Sequence, residues 1–129
     1  MKMRKLLLML ALASLGCGFA SESARAAGPP VKAMNGILVN AEGMTLYTYD
    51  KDRDMPGKSV CNDRCAQNWP PLLVAADGNA EGDYSIIMRD DASRQWAYKG
   101  QPLYLYKRDM KQGDMVGEDV QNVWHVIKQ

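Results

Sequence analysis

Leu46-Tyr47-Thr48-Tyr49-Asp50-Lys51-Asp52 returns later in the chain as Leu103-Tyr104-Leu105-Tyr106-Lys107-Arg108-Asp109. The offset is 57 residues, and a glycine stands three residues before each leucine, Gly43 and Gly100. Trp69-Pro70-Pro71-Leu72 and Trp124-His125-Val126-Ile127 follow the two copies at an offset of 55. Self-similarity at a near-fixed period marks a duplicated architecture. The expected repeats run over about residues 34–74 and 83–128.

Each copy alternates as a strand does, with Leu46 and Thr48 on one face and Tyr47 and Tyr49 on the other. The run Ile37-Leu38-Val39 predicts a strand over Met34–Asn40, and Asn40-Ala41-Glu42-Gly43 has turn chemistry. These pieces predict a β-hairpin joining Met34–Asn40 to Met44–Asp50. In the second half Gln95–Lys99 reads as a strand, Gly100 as a turn and Leu103–Lys107 as the return strand. Tyr84–Arg89 and Val123–Lys128 supply two more strands. Ala75–Gly82 reads as the connector between halves. Cys61–Asn68 predicts a short helical turn that stops before Trp69, because Pro70 restricts the residue ahead of it. Lys51–Val60 and Arg108–Asn122 lack periodicity, and loops of that length in a compact domain tend to be functional or mobile. The expected fold class is mainly β: a small antiparallel domain made of two similar hairpin-containing repeats.

The N-terminus predicts export. Met1-Lys2-Met3-Arg4-Lys5 is basic, Leu6–Leu15 is apolar, and Ala24-Arg25-Ala26 is a cleavage signal, so residues 1–26 read as a signal peptide. Cys17 offers a second processing route, lipid modification, but Ser14 stands where a lipobox prefers leucine. Contact with a membrane is expected only if Cys17 is lipidated. Cleavage after Ala26 leaves a single domain, residues 27–129, with a net charge of −2 against +1 for the precursor. A mixed, mildly acidic surface has no electrostatic footprint for nucleic acid.

The mature chain keeps six Tyr and three Trp and no Phe. Tyr and Trp bury large apolar area but carry a polar tip that needs a partner. Two arrangements are open for Tyr47, Tyr49, Tyr104 and Tyr106: a second small core under the long loops, or an exposed aromatic ligand surface. Asp52 and Asp109 are expected to accept backbone N–H bonds and fix the turn after each strand.

Cys61 and Cys65 are the only cysteines after processing. In an oxidising compartment, four-residue spacing on a helical turn suits a structural disulfide, worth roughly 1–2 kcal/mol for so small a loop. The competing reading is a periplasmic copper or thiol-redox site, with Cys61, Cys65 and His125 as ligands and Met55, Met110 and Met115 nearby in the loops. No thioredoxin-like βαβ frame supports a redox role. Asp50-Lys51-Asp52-Arg53-Asp54 starts like a calcium loop, but Met55 and Cys61 occupy the positions that need glycine and glutamate. A single histidine and the absence of a G-x-S-x-G elbow leave hydrolysis unsupported. No catalytic residue and no cofactor are expected.

Tyr47-x-Tyr49-x-x-Asp52 and Tyr104-x-Tyr106-x-x-Asp109 resemble the Y-x-[FWY]-x-x-D motif of a bacterial secreted-repeat, or lipoprotein-repeat, family of unknown function. Cys61-x-x-x-Cys65-Ala66-x-x-Trp69-Pro70-Pro71-Leu72, Gly100-x-Pro102-Leu103-Tyr104 and Trp124-His125 extend the resemblance over about residues 34–128. It implies an exported, two-repeat protein, often lipid-anchored, with no catalytic residues to carry over. The reading is therefore a non-catalytic periplasmic or envelope protein that binds an unknown partner or supports the envelope.

Overall fold

The computed structural model describes residues 27–129. The expected signal peptide and Cys17 lie outside the described residues. Among the described residues, seven short strands, one short α-helix and two 3-10 segments, Asp50–Asp54 and Val120–Asn122, make up the regular structure. The strands and the α-helix are β1 (Val31–Met34), β2 (Ile37–Asn40), β3 (Tyr47–Tyr49), α1 (Arg64–Asn68), β4 (Tyr84–Met88), β5 (Arg94–Tyr98), β6 (Gln101–Pro102) and β7 (Trp124–Val126). All pairings between named strands are antiparallel. Among the described residues, no helix is long and apolar enough to cross a membrane.

The hairpin expected between Met34–Asn40 and Met44–Asp50 is found only in part. The turn after Asn40 is present: Gly43 has φ +82°, and the Asn40 side chain accepts the N–H groups of Glu42 and Met44. Pairing beyond it is limited to the Val39–Thr45 bridge. The true hairpin is β1–β2, turning at Asn35-Gly36, where both residues have positive φ (52° and 79°). A two-residue turn of that hand matches strand twist, and Asn-Gly is its favoured sequence. The return strand expected at Leu103–Lys107 is also corrected. Regular pairing with β5 stops at Pro102, and the chain then leaves the sheet to meet the other half.

That departure explains the architecture. Tyr47 and Tyr104 exchange backbone hydrogen bonds in both directions, at 2.8 and 3.0 Å. Around this contact the two repeats are related by an approximate two-fold, and each lends its last segment to the other. β7, from the second repeat, pairs with β3 of the first. Its continuation reaches β2, where Leu38 donates to Ile127. The counterpart in the first repeat, Trp69–Val74, runs beside Tyr104 and β5: Leu105 donates to Pro70, and Trp96 donates to Leu72. This second pairing stays irregular because Pro70 and Pro71 have no N–H to give a ladder.

Two clusters fill the interior. Leu38, Leu46, Leu72, Trp96 and Leu103 form the aliphatic one, and Tyr47, Cys61, Trp69, Tyr104 and Trp124 the aromatic one. Strand alternation sends Leu46 to the first and Tyr47 to the second.

Candidate functional site

The two motif tyrosines that open each copy are fully buried, and each finds its acceptor in the other repeat. Tyr47 donates its hydroxyl to Asp109 Oδ2 at 2.6 Å, and Tyr104 donates to Asp52 Oδ2 at 2.5 Å. The second oxygen of each aspartate closes a loop. Asp52 accepts Val60 N–H at 2.8 Å, and Asp109 accepts Val116 N–H at 2.9 Å. The motif aspartates therefore brace the long loops seven and eight residues ahead rather than the adjacent turn. Burial pushes both carboxyls above their usual range, opposed by the tyrosine and backbone donors. Burial first, and then the aspartate partner, drives both phenols well upward, so each remains a proton donor.

The two copies differ in how the charge is met. On the Asp52 side, buried Arg89 donates to Ser59, Gln95 and the Cys61 carbonyl, and its charge opposes the upward shift of Asp52. Ser59 in turn lies 2.6 Å from the Tyr104 hydroxyl. Among the described residues the Asp109 side has no matching cation, and Asp114 adds to its upward shift.

The outer motif tyrosines serve a different arrangement. Tyr49, Trp124, Trp69 and Tyr106 form one continuous stack, with neighbouring centroids 4.1, 3.8 and 3.9 Å apart and interplanar angles of 8°, 3° and 21°. Each tryptophan is stacked by the second tyrosine of the other repeat. Each is also met edge-on by the first tyrosine of its own repeat, at 5.3 Å for Tyr47–Trp69 and 5.2 Å for Tyr104–Trp124. Tyr49 and Tyr106 are half-buried, while the tryptophans are buried. The four rings border a cleft of about 430 Å³, flanked by α1 on one side and Val120-Gln121 on the other. Arg64 and Arg108 also line it, and among the described residues no carboxylate does.

Cys61 and Cys65 are joined in a disulfide across α1, with Cα atoms 5.2 Å apart. Their sulfurs are thus spent, and the three-ligand copper arrangement loses two of its donors. His125 sits instead among carboxylates: Nε2 is 2.9 Å from Asp50, and Nδ1 is 3.3 Å from Asp119 and 3.7 Å from Glu118. Its hydrogen bond to Asp50 raises its pKa above the usual value.

Sequence reasoning did not single out Arg64, Arg108, Asp119 or Glu118. Arg108 lies inside the second motif copy, where the first has Lys51, and this change of charge chemistry is the one visible signal. Glu118 and Asp119 meet His125 through a local turn closed by Asp119 N–H to the Trp124 carbonyl, while Arg64 reaches the cleft through tertiary pairing.

The family model described as a secreted repeat of unknown function matches residues 30–73 and again residues 85–128. The chain belongs to this secreted-repeat family. The two matched spans are the two halves that exchange their closing segments. No curated protein and no solved structure is significantly similar to the chain.

Proposed function

We propose that this secreted-repeat protein is a non-catalytic binding module of the periplasm or cell envelope, and that its ligand surface is the aromatic cleft. The observation that carries this reading is the lining: four aromatic rings and two arginines, with no carboxylate, on a chain of net negative charge after export. Ring edges bear the positive end of the aromatic quadrupole, so they and the two guanidinium groups favour the same ligand charge. The cleft suits a small anion with a flat or apolar body, such as an aromatic carboxylate. Two sets of reactive groups are already engaged, which supports the non-catalytic reading. The thiols are paired, and both motif aspartates are committed to tyrosines and backbone donors.

Benzoate and its neutral isostere benzamide test the reading. Benzoate titrated into the mature protein should shift the indole N–H resonances of Trp69 and Trp124 saturably, and benzamide should do so much less. Arg64→Ala with Arg108→Ala should abolish the difference. Equal, non-saturating responses to both compounds would exclude an anion-selective cleft.

A further inference from the structure

We infer that His125, Glu118 and Asp119 form a site for a borderline divalent cation of the zinc type, with Asp50 as the residue that orients the histidine. This inference is independent of the cleft reading. One donor atom from each of the three residues lies within 4.8 Å of the others. The two measured edges, His125 Nδ1 to Asp119 Oδ1 at 3.3 Å and to Glu118 Oε1 at 3.7 Å, bracket the spacing of a coordination shell. Zinc bonds of about 2.1 Å in tetrahedral geometry put neighbouring ligand atoms about 3.4 Å apart.

The histidine is also set up as a ligand. Asp50, from the 3-10 turn after β3, holds Nε2 at 2.9 Å. A carboxylate that accepts the N–H of one ring nitrogen fixes the tautomer and leaves the lone pair of the other nitrogen available. Here that other nitrogen, Nδ1, is the one that faces Glu118 and Asp119. Glu118 is anchored as well: its Oε2 accepts Val126 N–H at 2.9 Å, which leaves Oε1 directed at the imidazole. Imidazole with two carboxylates is a donor set for zinc and its neighbours rather than for copper(I), which prefers sulfur. Two carboxylates neutralise the divalent charge, and three protein ligands leave a coordination position for water or a partner's donor group.

The repeat does not account for this grouping. At the offset of 55 residues the matching positions are Asp63, Arg64 and Pro70, and the position matching Asp50 at 57 is Lys107. The duplicated scaffold therefore stands without these four residues in one of its two copies. All four are at least partly exposed, so an ion has access. A proton on Nδ1 fills the same space as the cation, and the two compete.

Zinc chloride titrated calorimetrically into the mature protein at pH 7.5 tests the inference. One ion per chain should bind with micromolar affinity, with the imidazole nitrogen resonances reporting coordination through Nδ1. His125→Gln and Asp119→Asn should each weaken binding at least tenfold. Asp50→Asn should weaken it about 10- to 100-fold through the orienting bond. Binding at pH 5.5 should be weaker than at pH 7.5. Melting curves without zinc establish that the variants are folded. Failure to saturate, or unchanged affinity in His125→Gln, would overturn the inference.

Discussion

Tyr47 donates its hydroxyl hydrogen bond to Asp109, 62 residues away, and not to Asp52 of its own motif copy. Tyr104 and Asp52 complete the reciprocal pair. The motif is thus a between-repeat clasp, and the five-residue spacing within each copy is what puts its two members on opposite sides of the two-fold.

The clasp predicts a specific pattern of energetic coupling. In a double-mutant cycle, Tyr47→Phe and Asp109→Ala should couple by about 1.5–3 kcal/mol, the range for hydrogen bonds to charged groups. Tyr47→Phe and Asp52→Ala should add to within about 0.5 kcal/mol. Urea unfolding of the four chains in each cycle measures both. Coupling within one copy and none across copies would refute the crossed arrangement.

Gly117 is a position where one methyl group matters. A Cβ there would lie 2.7 Å from the Trp69 ring and 2.8 Å from the Tyr47 ring, and Gly117 N–H also donates to the Tyr47 hydroxyl. Both neighbours are buried rings that cannot swing away. Gly117→Ala should cost about 1–3 kcal/mol through overpacking. Near-ultraviolet circular dichroism should register the disturbed stack, and an unchanged spectrum with unchanged stability would contradict the packing described.

The disulfide closes a small loop, so its entropic contribution is modest, roughly 1–2 kcal/mol. Cys61 is nonetheless fully buried, and its carbonyl accepts from Arg89 at 2.6 Å. Cys61→Ser with Cys65→Ser should lower the melting temperature by about 5–15 °C for a domain of this size, while the fold persists. Differential scanning calorimetry decides; complete loss of the folded baseline would mean that the staple is essential.

Stability should rise on mild acidification. His125 has a raised folded-state pKa, so its stabilisation is fully present below its unfolded value of about 6.5 and is lost as pH rises through the folded value. Its side chain is one-third exposed, which limits the effect to below about 1 kcal/mol. Asp52 and Asp109 act in the same direction. Their raised pKa values mean that the folded chain holds protons longer than the unfolded one, so their contribution falls as pH climbs through a separate, more acidic window that begins at the unfolded value of 3.8. The melting temperature at pH 5.5 should exceed that at pH 8, and His125→Gln should shrink the difference. A lower value at pH 5.5 would contradict these assignments.

Local chemistry was legible and partner choice was not. The Cys61–Asn68 turn, the break before Trp69, β4, β5 and β7 follow from propensity, proline and alternation, which are properties of neighbouring residues. The Asn35-Gly36 hairpin was also written in the chain, but the strand read around Ile37-Leu38-Val39 was carried back to Met34 across that turn. By contrast, alternation shows which way Tyr47 points without showing what lies opposite. β3 pairs with residues more than seventy positions later, and an approximate two-fold allows each motif to pair within its copy or across copies with similar local sequence. The cleft inherits that ambiguity, as does the contact of Asp50 with His125, because these residues come from segments joined by the exchange.

The exchange of closing segments also sets an order of events during synthesis and export. The first half cannot complete its pairing alone, since Tyr47–Tyr49 waits for Trp124–Val126 and the ring stack for its second tryptophan. Pairing at such sequence separation carries a large loop-closure cost before any contact rewards it, which slows folding. The first repeat therefore stays open along β3 until Trp124–Val126 reaches it, and only then does it lock.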